Sequence, residues 1–180
     1  MAKYVALLRG IGPSNPNMRQ KKLCGVLEDL GFSGVAGVIS SGNVLFEANS
    51  TDAEVLEAMI EPAWPRKLGF SSTTIIRSQE QLQQLAAIDP FKGLEHSSKS
   101  YLMATFFKKP LRMPFKLPHQ PHGKPYRLIY ADKLTLCTIT DNTVLQTTDL
   151  MAWLEKQFGK EITSRTWLTV QRIITKMASS

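Results

Sequence analysis

The order in which strand-like and helix-like runs follow one another restricts this chain most, because one order recurs within 180 residues. Tyr4–Arg9 reads as a strand and ends at Gly10-Ile11-Gly12-Pro13, with the polar loop Ser14-Asn15-Pro16-Asn17 behind it. Leu23, Val26, Leu27 and Leu30 then recur at helical spacing, and Gly31 is a natural stop. Val35–Ile39 and Val44–Phe46 are short strand runs around the turn Ser40-Ser41-Gly42-Asn43. Thr51 and Glu54 stand at capping-box spacing and open a second helix. Its apolar side is read as Val55, Met59 and Ile60, with Pro62 and Pro65 kinking or fraying its end and Gly69 closing it. Ser72–Arg77 is the next strand. The order is β-α-β-β-α-β, the split βαβ or ferredoxin-like arrangement.

An added helix over 78–88 follows, opened by the capping pair Ser78 and Gln81 and striped by Leu82, Leu85 and Ile88. Residues 89–99 read as a linker. The plan then repeats with one part missing. Tyr101–Phe107 is a strand, but Pro110, Pro114, Pro118 and Pro121 forbid a regular helix after it. Tyr126–Tyr130 and Leu134–Thr140 form a hairpin across Ala131-Asp132-Lys133. A helix over 148–158 carries Leu150, Leu154 and Phe158, with Gly159 as its stop. Ile162–Arg165 is a strand, and a last helix carries Trp167, Val170, Ile174 and Met177. The expected fold class is α+β: two ferredoxin-like (βαββαβ, α/β plait) units in tandem. The first is 1–90, including the added helix 78–88. The second is 91–180, including the Pro-rich loop 109–125 and the C-terminal helix.

Hydrophobic residues make up 43% of the chain and charged residues 21%, which excludes a disordered or fibrous chain. No apolar run approaches a membrane span. The opening Met1-Ala2-Lys3-Tyr4-Val5 runs straight into a strand pattern, so no secretory leader is read and the cytoplasm is the expected location. Cys24 and Cys137 read as small buried hydrophobes, and no disulfide is expected. The net charge of +7 is uneven: residues 1–90 carry a net of −1 and residues 91–180 a net of +8. No acid stands between His96 and Ala131, a stretch that holds Lys99, Lys108, Lys109, Arg112, Lys116, Lys124 and Arg127.

Certain segments resemble a known family. They are Tyr4-Val5-Ala6-Leu7-Leu8-Arg9-Gly10-Ile11, Leu27-Glu28-Asp29-Leu30-Gly31-Phe32, Ser41-Gly42-Asn43-Val44-Leu45-Phe46 and, near the end, Ser164-Arg165-Thr166-Trp167 with Thr169-Val170. Together they are similar to the domain-of-unknown-function 1697 family of bacterial proteins. The resemblance covers nearly the whole chain. It implies a tandem pair of α/β plait units and no established activity. The chain departs from the family at Gly12-Pro13-Ser14, where many members read Asn-Val-Gly. It departs again at Thr166 and Leu168, which replace two asparagines.

The β-α-β-β order brings the end of the first strand beside the turn between the second and third. A candidate site therefore gathers Arg9, Asn15, Asn17, Ser40, Ser41 and Asn43, with Ser14 nearby, as donors for a small anionic ligand. The competing account gives Gly, Asn and Ser their places through turn conformation and local backbone bonds. Arg165, Thr166 and Trp167 are a second-choice site. Nucleic-acid binding through the basic stretch 99–127 is an alternative function. So is an enzyme of unrecognised type, for which no catalytic constellation stands out. Tyr4 and Phe46, the strand aromatics that a base could stack on, are read as packing residues instead. His119 and His122 lack further ligands nearby in sequence, and no metal or cofactor is expected. Glu54, Glu57 and Glu61 read as a solvated helix face.

Overall fold

The computed structural model describes residues 1–40, 42–144 and 147–180. The chain forms two compact units, Met1–Gln84 with Gln171–Ser180, and Leu85–Val170. The last ten residues group with the first unit rather than the second half. The Lys3 ammonium, at the start of the first strand, donates to the Met177 carbonyl at 3.1 Å and also to that of Ser180.

In the first unit the elements are β1 (Ala2–Leu8), α1 (Gln20–Asp29), β2 (Ser33–Gly37), β3 (Asn43–Ala48), α2 (Ala53–Ile60), α3 (Ala63–Leu68) and β4 (Thr74–Ser78), and then α4 (Gln79–Ile88) begins. The strands form an antiparallel sheet in the order β2-β3-β1-β4. Tyr4, Ala6, Leu8, Val44, Phe46 and Ile76 face one way and pack with Leu23, Val26 and Leu27 of α1 and with Leu56, Ile60 and Trp64. The intervening residues Val5, Leu7, Leu45 and Ile75 are buried too, so β1 reads as a continuous apolar run rather than an alternating one. Tyr4 and Phe46 stack 5.7 Å apart inside this core and offer no platform for a base.

Two expectations about α2 are corrected. Its cap is Asp52, whose side chain accepts the Glu54 N–H, and not Thr51. Its buried residues are Leu56, Glu57 and Ile60, while Val55 and Met59 are exposed. The helix is turned so that glutamates reach the outer edge of β4. Glu57 Oε1 accepts the Ile76 N–H at 3.0 Å, and Glu61 Oε1 accepts that of Thr74 at 2.7 Å. Gln81 Oε1 accepts the Ser78 N–H at 2.9 Å, while Ser78 Oγ accepts the Gln81 N–H in return. Three alternate amides along an edge strand are thus closed by side chains, which denies the edge to another strand. Glu57 and Glu61 are not a solvated face. The break between α2 and α3 falls at Pro62, and Gly69, at φ +77°, ends α3.

The second unit contains β5 (Tyr101–Phe107), β6 (Tyr126–Ala131), β7 (Thr135–Thr140), α5 (Thr147–Phe158), β8 (Ile162–Thr166) and the start of α6 (Trp167–Ser179). Its strand order, β6-β7-β5-β8, repeats that of the first sheet. The repeat extends to single positions. Val5 faces Arg77, and Ala104 faces Arg165. Each arginine is buried and donates from Nη1 to the carbonyl of the residue before it, at 2.8 Å from Arg77 and 2.9 Å from Arg165.

Between β5 and β6, where the first unit has α1, the second has an extended strap. Leu111, Met113, Phe115 and Leu117 alternate inward onto Leu128, Leu136, Leu150 and Leu154, while Arg112, Pro114, Lys116 and Pro118 are exposed. A period of two does with an extended chain what a period of 3.6 does with a helix. The proline-rich segment therefore covers the sheet rather than dangling from it. His119 ends the strap in a two-way backbone bridge to Leu128, its ring stacked 4.1 Å from Phe115. In α4 and α6 the expected stripes shift slightly: Ile88 is exposed, and Ile173 rather than Ile174 is fully buried.

Candidate functional site

The end of β1 and the β2–β3 turn do meet. Leu7 pairs with Asn43, and the Leu8 N–H donates to the Gly42 carbonyl at 2.9 Å. Gly42 sits at φ +74° with the Ile11 side chain so close that a Cβ would lie 2.6 Å from Ile11 Cγ1. This position demands glycine both for its backbone and for space.

The three asparagines expected there are engaged within the fold. Asn15 Oδ1 accepts the Asn17 N–H and caps the short 3-10 turn Pro16–Met18. Asn17 donates to the Leu68 carbonyl at 3.1 Å and accepts from Lys22 at 2.6 Å. Asn43 is fully buried, and its amide donates to the Val38 carbonyl at 3.0 Å, tying the turn to itself. Ser40 is exposed, and Ser41 lies outside the described residues.

Arg9 belongs to a different neighbourhood. Its backbone N–H donates to the Thr73 carbonyl at 2.9 Å, and its carbonyl accepts from Ser72 Oγ at 2.7 Å. These bonds splice the chain leaving β1 to the chain entering β4. Beside them opens a cleft of about 590 Å³, lined by Arg9, Gly10, Glu61, Pro62 and residues 71–73. That volume lies within the usual range for small-molecule sites. Its wall combines one guanidinium, a run of hydroxyls and a carboxylate. The Glu61 carboxylate is held in place by the Thr74 N–H. Sequence reading found Arg9 but missed Glu61 and the Ser71-Ser72-Thr73 run. The strand order offered the missing signal, because the last strand of a β-α-β-β-α-β unit starts beside the end of the first.

The second-choice residues each make contacts within the fold. Arg165 is buried and bonds Thr163 Oγ1 at 2.8 Å. Burial lowers its pKa to about 10, so it stays charged at neutral pH. Thr166 Oγ1 accepts the Thr169 N–H in the first turn of α6, and Trp167 is buried against Phe91 at 5.2 Å. Cys137 is buried, but Cys24 is only half-buried. Burial, then Glu28, pushes the Cys24 pKa up, and burial, then Asp132, pushes that of Cys137 up further. Among the described residues no three His, Cys, Asp or Glu side chains cluster to hold a metal ion, and no helix is long and apolar enough to cross a membrane.

No curated protein matches the chain in sequence. In fold it is similar to a conserved bacterial protein from Streptococcus pneumoniae, at 19% identity and a TM-score of 0.69, covering 99% of each chain. The model of a family described as protein of unknown function, DUF1697, matches residues 1–119, and the chain belongs to that family.

Proposed function

We propose that the protein binds a small anionic ligand in the Arg9 cleft, on a frame of two ferredoxin-like units, in the bacterial cytoplasm. One observation supports the reading above the others: Arg9 shares a 590 Å³ concavity with the Ser71–Thr73 hydroxyls. A guanidinium flanked by the Ser71 and Thr73 hydroxyls suits a phosphate or carboxylate. Glu61, on the same wall, favours a ligand that also carries a hydroxyl or ammonium donor. Asn15, Asn17 and Asn43 shape the neighbouring turns, and the ligand contact centres on Arg9.

A thermal-shift comparison of inorganic phosphate and adenosine monophosphate tests this. A ligand at a hundred times its Kd stabilises by about 2.7 kcal/mol, which raises the Tm of a chain this size by roughly 5–10 °C. The shift is lost in Arg9→Ala. No shift with either probe at millimolar concentration, or an equal shift in Arg9→Ala, contradicts the reading.

A second reading, nucleic-acid binding through 99–127, is supported by the exposure of Lys99, Arg112, Lys116, Lys124 and Arg127 in a stretch without acids. Fluorescence anisotropy with single-stranded RNA at two salt concentrations tests it, since phosphate contacts weaken steeply with salt. No binding at low salt excludes it.

A further inference from the structure

The second unit has its own cleft, of about 320 Å³, at the corresponding place in the repeat. The Arg9 cleft lies after β1, beside the end of α2 and before β4. The second lies after β5, beside the end of α5 and before β8, lined by Phe107, Lys109, Arg112, Gln157, Phe158 and Glu161 among others. The fold thus produces the same concavity twice, while the sequence furnishes each copy differently. The first wall is hydroxyl-rich. The second has an aromatic floor, Phe107 and Phe158 meeting edge to face at 5.5 Å, and cations at its rim.

We infer that this second cleft is a separate binding site for a planar ring carrying a phosphate or carboxylate. The aromatic floor, in which Phe107 is buried and Phe158 half-buried, offers a face or edge for a flat apolar body. The rim supplies the charge. Lys109 is paired with Glu161 at 3.2 Å, so these two nearly cancel. Arg112 is exposed and makes no hydrogen bond or ion pair among the described residues, leaving a planar guanidinium to take an anion in two parallel bonds. Gln157 adds an amide that can donate as well as accept.

The site is preorganised by backbone. The Phe107 N–H donates to the Leu134 carbonyl at 2.9 Å, that of Lys108 to Glu161 at 3.0 Å, and that of Leu111 to Lys133 at 2.6 Å. Pro110 holds Lys109 in extended backbone. The alternation of the strap then sends Leu111 into the core and leaves Arg112 exposed. Phosphate alone would leave the aromatic floor wet, and a neutral ring would leave Arg112 unused, so the ligand needs both parts.

The test maps binding on the full-length, nitrogen-15-labelled chain by amide chemical shifts, with phenyl phosphate, benzoate, inorganic phosphate and phenol as probes. The inference expects saturable shifts at Lys109, Leu111, Arg112, Gln157 and Phe158 with phenyl phosphate or benzoate. The preferred probe tells whether phosphate or carboxylate is the natural anion. Phosphate and phenol each bind at least tenfold more weakly. The exposed double variant Lys109→Gln/Arg112→Gln, whose fold is checked by unchanged β5–β8 amides, loses tenfold or more in affinity. No saturable shift at these amides overturns the inference. So does equal affinity for bare phosphate, or undiminished binding by the double variant. Residues 71–73 report on the Arg9 cleft in the same spectra, so failure at one site is read separately from failure at the other.

Discussion

Glu61 accepts the Thr74 N–H at 2.7 Å while its carboxylate forms part of the wall of the Arg9 cleft. One side chain therefore closes the edge of the first sheet and faces the candidate ligand. Its neighbour Glu57, one helical turn earlier, makes the same kind of bond to Ile76 and is buried to 3% exposure. The edge of β4 and the shape of the cleft depend on the same helix end.

Removing the deeper of these caps leaves a buried amide without a partner. Glu57→Ala is expected to lower stability by about 1–3 kcal/mol in urea denaturation, and Glu57→Gln, which keeps an acceptor oxygen, by less. Hydrogen exchange at the Ile76 amide rises in Glu57→Ala. Equal stability of Glu57→Ala and the parent chain contradicts the edge-capping account.

The strap of the second unit replaces a helix through its alternation. Phe115→Ala, which empties a place between His119 and Trp153 on the second core, is expected to cost about 2–4 kcal/mol. Lys116→Ala, on the exposed side of the same strap, changes stability by less than about 0.5 kcal/mol. Similar effects from the two substitutions would show that the strap does not pack by alternate residues.

Gly42 clamps the β2–β3 turn against Ile11. Gly42→Ala meets both the positive φ and the missing space, and it is expected to destabilise the first unit by about 1–3 kcal/mol. Pairing it with Ile11→Ala relieves the contact but not the backbone strain, so part of the loss returns. Thermal unfolding of the single and double variants measures both terms.

Alkaline pH acts on groups whose native pKa is raised. Burial, then Asp132, pushes the Tyr130 hydroxyl up to about 12, and Cys137 is raised by the same two causes. The native state then holds protons that the unfolded state gives up. Their stabilising effect is complete below about pH 8, where an ordinary cysteine begins to ionise. It is lost as pH rises towards 12. Denaturation midpoints between pH 8 and 11 should fall, and Cys137 should resist a thiol reagent at pH 8 until the chain unfolds. A midpoint that rises over this range contradicts the assignment.

Much of the fold was legible because its elements announce themselves locally. Leu23, Val26 and Leu27 specify α1 by spacing alone, and Pro110 to Pro121 exclude a helix from the matching place in the second half. The direction of α2 was not legible. Val55 and Met59 look like a core face, but the unpaired amides of β4 turn Glu57 inward, and that need exists only once the strand is placed. The candidate site divided in the same way. Asn15 and Asn43 obey their local turn preferences, while Asn17 reaches the distant Leu68 carbonyl. Arg9 is drawn to Ser72 and Thr73, some sixty residues away in sequence, by the pairing of β1 with β4. Side chains that answer to distant backbone are where sequence periodicity stops being informative.

Calorimetric titration of inorganic phosphate into the full chain and into Arg9→Ala tests the binding account most directly. The account predicts one saturable event in the parent chain, weakened at least tenfold in Arg9→Ala. Equal affinities for the two chains, or no heat of binding to the parent at millimolar phosphate, would contradict it.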